Sequence, residues 1–120
     1  MLEKDIEARL VRKVRELGGK AYKFESPGTL GVPDRLVCMP EGTAVFVELK
    51  APGKTPRPNQ LHRHRELRAL GFPVFGCVDS PEAVDAFIGW LDLFCQINSA
   101  ILSDSPELYQ DYQEMLDDAV

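Results

Sequence analysis

Beyond Arg68 the chain contains no lysine and no arginine. Residues 69–120 carry 10 acidic side chains with nothing to balance them, which excludes that part as a polyanion-binding surface. All 14 Lys and Arg fall within residues 1–68 against 9 acids, so the first part nets +5 and the second −10. The whole-chain charge of −5 argues against a nucleic-acid partner; its distribution removes that objection. Cysteine is also scarce. Cys38, Cys77 and Cys95 form no C-x-x-C pair and leave an odd count, excluding a thiolate zinc site and a disulfide framework. Cys38 and Cys77 sit in apolar strand-like runs and are expected to be core fillers. Long hydrophobic runs are missing: Ala86 to Leu91 is the longest, too short to cross a bilayer. No basic segment followed by an apolar one marks a secretory leader. These absences point to a reducing, cytoplasmic setting without a membrane. At 120 residues and 44% apolar, the chain is expected to form one α/β domain with a small core.

What is present centres on Asp34 and, after thirteen intervening residues, Glu48-Leu49-Lys50. Asp34 opens the apolar run Leu36 to Met39, Pro40-Glu41-Gly42-Thr43 has turn chemistry, and Ala44 to Val47 returns. With Met39 and Ala44 flanking the turn, Asp34 falls beside Glu48 or Leu49. Glu48 and Lys50, two apart on a strand, share a face. Charges at the end of an apolar hairpin are costly to bury unpaired. Two carboxylates and the Leu49 backbone carbonyl suit a hard cation such as Mg²⁺ or Mn²⁺. Lys50 beside it could orient a water and neutralise charge on a phosphoryl transition state. The plainer alternative makes Asp34 a turn cap and Glu48–Lys50 an exposed strand-end pair. Against it stands the strand itself, apolar enough to be central yet ending in Glu and Lys, poor strand residues.

Residues 2–18 read as a helix with Leu10, Val14 and Leu17 on one buried line, and a step of three back from Leu10 reaches Glu7. Glu3 lies on the same line and substitutes for Glu7 if the register is shifted. Arg9, Arg12, Lys13 and Glu16 form the opposite, phosphate-facing side. Lys20 to Glu25 alternates as a strand. Residues 26–33 form a Pro/Gly loop beside the site, a DNA-contact loop or a plain connector. Arg35 is expected on the other face of the strand, near Glu41 or a phosphate. Ala51 to Asn59 is a basic, proline-rich linker. A helix from about Pro58 to Leu70 places Gln60, His64 and Leu67 on one face, with His62 and His64 expected at the surface. Phe72 to Val78 reads as a strand, and Ser80-Pro81 starts a helix expected to run to about Phe94. Pro106 begins a further acidic helix or tail, which could mask the basic face or meet a partner.

Taken together, Glu7, Gly31-Val32-Pro33-Asp34, Glu48-Leu49-Lys50 and Gln60 resemble the PD-(D/E)xK nucleases. More narrowly, they resemble the stand-alone VRR-NUC domains of phages and bacteria over roughly residues 1 to 90. The resemblance implies a restriction-endonuclease-like core, helix–strand–β-hairpin–helix–strand–helix with a mixed central sheet. It divides the chain into a nuclease domain at 1–95 and an acidic C-terminal helix or tail at 96–120. It further implies that Glu7, Asp34 and Glu48 bind one or two Mg²⁺ or Mn²⁺ ions, that Lys50 assists the attacking water, and that Gln60 orients the site. A homodimer cutting branched DNA in the manner of Holliday-junction resolvases, in a bacterial or phage-infected host cytoplasm, is likewise an implication. A nickase or flap and splayed-arm nuclease of the same fold, a silent DNA-binding module, and an adaptor acting through the acidic segment are the alternatives.

Overall fold

The computed structural model describes residues 2–119. Helix α1 (Glu3–Glu16) buries Ile6, Leu10 and Val14, a line of i, i+4, i+8 positions. The stripe thus runs through Ile6, where Glu7 and Leu17 were expected to extend it. Leu17 is the C-cap and only half-buried.

Four strands follow as one mixed sheet in the order β1 (Lys20–Lys23), β2 (Arg35–Cys38), β3 (Ala44–Leu49), β4 (Val74–Val78). The first three are antiparallel neighbours; β4 joins β3 in parallel after a crossover through α2 (Pro58–Ala69). The order is the restriction-endonuclease-like one expected. Val37, Val45, Val47 and Leu49 face a core closed by α1 and by α3 (Pro81–Ser103), whose Val84, Phe87 and Leu91 are buried. On the opposite face Phe46 packs against Phe24 and Phe72, each at 5.6 Å between ring centroids, beside α2.

Arg9 and Lys13 do not face outward for phosphate. Both grip Asp85 of α3, at 2.8 and 2.7 Å, and hold its carboxyl well below the usual range, Arg9 most strongly. Ser80 caps α3 as expected, its Oγ accepting the Ala83 N–H at 3.0 Å. The helix continues nine residues past Phe94, since no glycine or proline intervenes before Pro106. At 23 residues, with an 18-residue stretch of mean hydropathy 1.3, it is long and apolar enough to cross a membrane, where the longest uninterrupted apolar run was too short; here its first half supplies Val84, Phe87 and Leu91 to the core. A last helix, α4 (Pro106–Asp118), leans on the β2–β3 turn, where the Tyr112 hydroxyl donates to the Glu41 carbonyl at 3.4 Å. That turn is at the opposite end of β3 from Glu48, so the acidic helix does not mask the carboxylates. Cys77 is exposed rather than a core filler, its Sγ 3.4 Å from the Lys54 carbonyl.

Candidate active site

The hairpin register pairs Arg35 with Val47 and Cys38 with Ala44, which sets Asp34 opposite Glu48. Asp34 Oδ1 accepts the Leu49 N–H at 3.0 Å. Strand alternation turns Glu48 and Lys50 toward α2, as expected. There Gln60 joins them: its Nε2 donates to Glu48 Oε1 at 3.1 Å and its Oε1 accepts from Lys50 Nζ at 2.8 Å. The same Oε1 accepts the Arg57 N–H at 2.9 Å, the N3-to-N-cap contact that starts many helices. A helix start therefore fixes the amide, and the amide fixes both charged groups. Lys50 Nζ lies 3.5 Å from Glu48 Oε1.

Glu48 is only 4% exposed, and its Oε2 is buried with no hydrogen-bond partner. Burial first, then the charge of Asp34, push its carboxyl up to about 7 against the pull of Lys50. Asp34 is also raised, mainly by burial, with the Leu49 N–H and Arg35 opposing. An orphaned oxygen on a crowded acid pair is what a bound cation resolves. The pair opens into a cavity of about 490 Å³ that Leu49, Lys54 and Arg57 also line. Among the described residues no three His, Cys, Asp or Glu side chains gather closely enough to hold a metal alone. The donor set fits a hard cation that keeps several waters rather than a closed protein cage.

The structure brings Asp34, Glu48, Leu49, Lys50 and Gln60 together. It does not bring Glu7. That carboxylate pairs with the guanidinium of Arg35, a buried side chain that also donates to the Ala21 carbonyl at 3.1 Å. Arg35 meets Glu7 and neither Glu41 nor solvent, and the pair ties α1 to β2. The first-helix acid lining the cavity is Glu3, one turn earlier. Lys54 and Arg57 of the basic linker line it too, the signal there being composition.

His64, expected at the surface, is 1% exposed, and neither ring nitrogen has a hydrogen-bond partner. It fits because Gly76 lacks a side chain: a Cβ there would come within 2.9 Å of His64 Nδ1. Burial, then Arg68 and Lys50, lower its pKa. The folded state therefore resists protonation that the unfolded chain accepts. Stability is full above the ordinary histidine value of about 6.5 and is lost as pH falls below it. Glu48 titrates in the opposite sense over the same range, so the difference between wild type and His64→Leu isolates this contribution. In melting curves from pH 8 to 5 the variant should gain on wild type, by on the order of 1 kcal/mol at pH 6. A difference that does not change with pH would show that His64 does not cause it.

Gly31 has φ +84°, and a Cβ there would lie 2.4 Å from the Asn59 carbonyl oxygen and 3.0 Å from the Gln60 nitrogen. Backbone meets backbone, so no rotamer relieves the clash. Gly31→Ala should destabilise by about 2–3 kcal/mol and shift Gln60, visible as a lowered melting temperature. Full stability in the alanine variant would show that the loop yields freely.

No family model matches the chain. It is 58% identical over 72 residues to "Putative nuclease p44" of Acyrthosiphon pisum secondary endosymbiont phage 1, an alignment spanning 60% of this chain and 77% of that one. Among solved structures, it is similar to one described as a VRR_NUC domain, at 35% identity and a TM-score of 0.68, covering 72% of this chain and 94% of the other. With the mixed sheet, the paired carboxylates and the lysine in place, these similarities settle its membership: the chain belongs to the VRR-NUC family of nuclease domains.

Proposed function

We propose that this nuclease domain is a divalent-cation-dependent DNA endonuclease, selective for branched DNA, acting at Asp34, Glu48 and Lys50. The observation that carries the reading is the buried, unpartnered Glu48 Oε2 beside a second raised carboxylate. Asp34, Glu48 and the Leu49 carbonyl would hold Mg²⁺ or Mn²⁺, with Glu3 rather than Glu7 completing the acidic shell. Such a cation supplies charge neutralisation at the phosphoryl oxygens and a more acidic water. Gln60 holds Lys50 Nζ over the site, where the ammonium orients the attacking water and meets the negative charge that grows on the phosphoryl group. The basic linker residues Lys54 and Arg57 line the cavity and draw in the phosphate backbone.

Branch selectivity fits a homodimer, because two copies related by a two-fold axis present two such sites to a junction. The cytoplasm of a bacterium or phage-infected host is the corresponding setting. Cleavage of a four-way junction, a splayed duplex and a plain duplex in Mn²⁺ tests the reading. Junction cutting at least tenfold faster than duplex cutting is expected; equal rates on all three would remove the branch selectivity, and no cutting of any would remove the nuclease reading.

A further inference from the structure

Two cavities meet over the carboxylates. The second, of about 360 Å³, shares Asp34, Glu48, Arg57 and Gln60 with the first and opens under the 24–33 loop. Its volume is near the lower end of the range for small-molecule clefts, about 300–1,000 Å³. Its outer wall carries less charge than the first cavity. Phe24, Pro27, Leu30 and Val32 supply apolar surface, the Ser26 and Thr29 hydroxyls supply polar edges, and Glu25 adds one carboxylate.

The loop that builds this wall is fastened along its length. Phe24 N–H donates to the Asp34 carbonyl at 2.8 Å, and Thr29 N–H to the Ser26 carbonyl at 3.0 Å. Arg63 Nε of α2 donates to the Leu30 carbonyl at 2.9 Å, and Gly31 abuts the Asn59 backbone. On this fixed support Leu30 is 75% exposed, the highest value for a large apolar side chain among the described residues. Packing gives it no reason to be leucine.

Resting on the nuclease reading for where the phosphate sits, we infer that this second cleft receives one unstacked nucleotide next to the scissile phosphate. Its base lies against Phe24, Pro27 and Val32, and Leu30 enters the gap it leaves in the stack. Base faces bind apolar and aromatic walls with little regard to sequence, and apolar wedges part base steps. Extruding a nucleotide costs least where it is already unpaired. The substrate class that follows is DNA with an unpaired nucleotide at the cut, as a branch point or bulge provides, and selection is by local unpairing rather than by base identity.

The test separates binding from cutting. In EDTA at low salt, fluorescence anisotropy compares a duplex carrying one bulged thymidine with the same duplex carrying an abasic spacer there. The wild-type chain should bind the thymidine form about tenfold more tightly, the size expected for one stacked base. Ser26→Trp, which fills the cleft, and Leu30→Ala, which removes the wedge from an exposed position, should each bring the ratio below threefold. Equal wild-type affinities, or variants that keep the tenfold ratio, would overturn the inference. In Mn²⁺ the cut should fall at the phosphodiester beside the bulge. Cutting without the affinity ratio sinks the cleft alone; the ratio without cutting sinks the nuclease reading alone and leaves the cleft as a nucleotide site.

Discussion

Lys50→Ala should slow single-turnover DNA cleavage about a thousandfold, within the range for losing a group that handles a proton or a developing charge. Lys50 lies 3.5 Å from one oxygen of a nearly buried carboxylate and donates to the Gln60 amide oxygen, which also accepts the Arg57 N–H. Its removal takes away the nearest positive charge and lets the Glu48 carboxyl rise further, since Lys50 is what opposes burial and Asp34 there. The fold should survive. Gln60 keeps the Arg57 N–H and Glu48, and no core residue is touched. A variant that melts within a few degrees of wild type yet cuts within threefold of it would remove Lys50 from the chemistry.

Glu48→Gln is expected to move stability and activity in opposite directions. Burial and Asp34 place the Glu48 carboxyl at about 7 in the folded chain against an ordinary 4.5. The folded state therefore holds this proton more tightly than the unfolded state. The resulting stability is fully present below pH 4.5 and is lost as pH rises through about 7. The gap corresponds to about 3 kcal/mol. At pH 8 in EDTA the glutamine variant should gain up to that amount, and its melting temperature should vary less between pH 5 and 8. Mn²⁺ should raise the melting temperature of the wild-type chain and leave the variant where it was, with cleavage reduced about a thousandfold. Equal cation-induced stabilisation of both would show that Glu48 is no ligand.

These positions were legible because short-range rules decide them. Pro40-Glu41-Gly42 set the turn and two apolar runs set the strands, which placed Asp34 beside Glu48 or Leu49; the observed register decides for Glu48. Alternation put Glu48 and Lys50 on one face; Gln60 came to the site through the family resemblance, and the structure shows the helix start that holds it there. The acid of the first helix was not decided locally. Glu3 and Glu7 are one turn apart, and the choice depends on Arg35, which lies 28 residues beyond Glu7 in the chain and takes its carboxylate. The burial of His64 has the same character: a histidine in a basic helix reads as solvent-facing until Gly76, on a strand beyond that helix, leaves it a space. The α3 end was missed for another reason. Leu93, Ile97 and Ile101 extend an apolar line past the core and stay exposed, so the helix outlasts the burial that predicted it.

One comparison bears on the whole reading: cleavage of a labelled four-way junction by the wild-type chain with Mg²⁺ or Mn²⁺ supplied, and with EDTA in their place. Cutting that appears with the cation, disappears in EDTA and is lost in Asp34→Asn is the expected result. Cutting that persists in EDTA, or that Asp34→Asn leaves intact, would contradict a cation-dependent site built on the paired carboxylates.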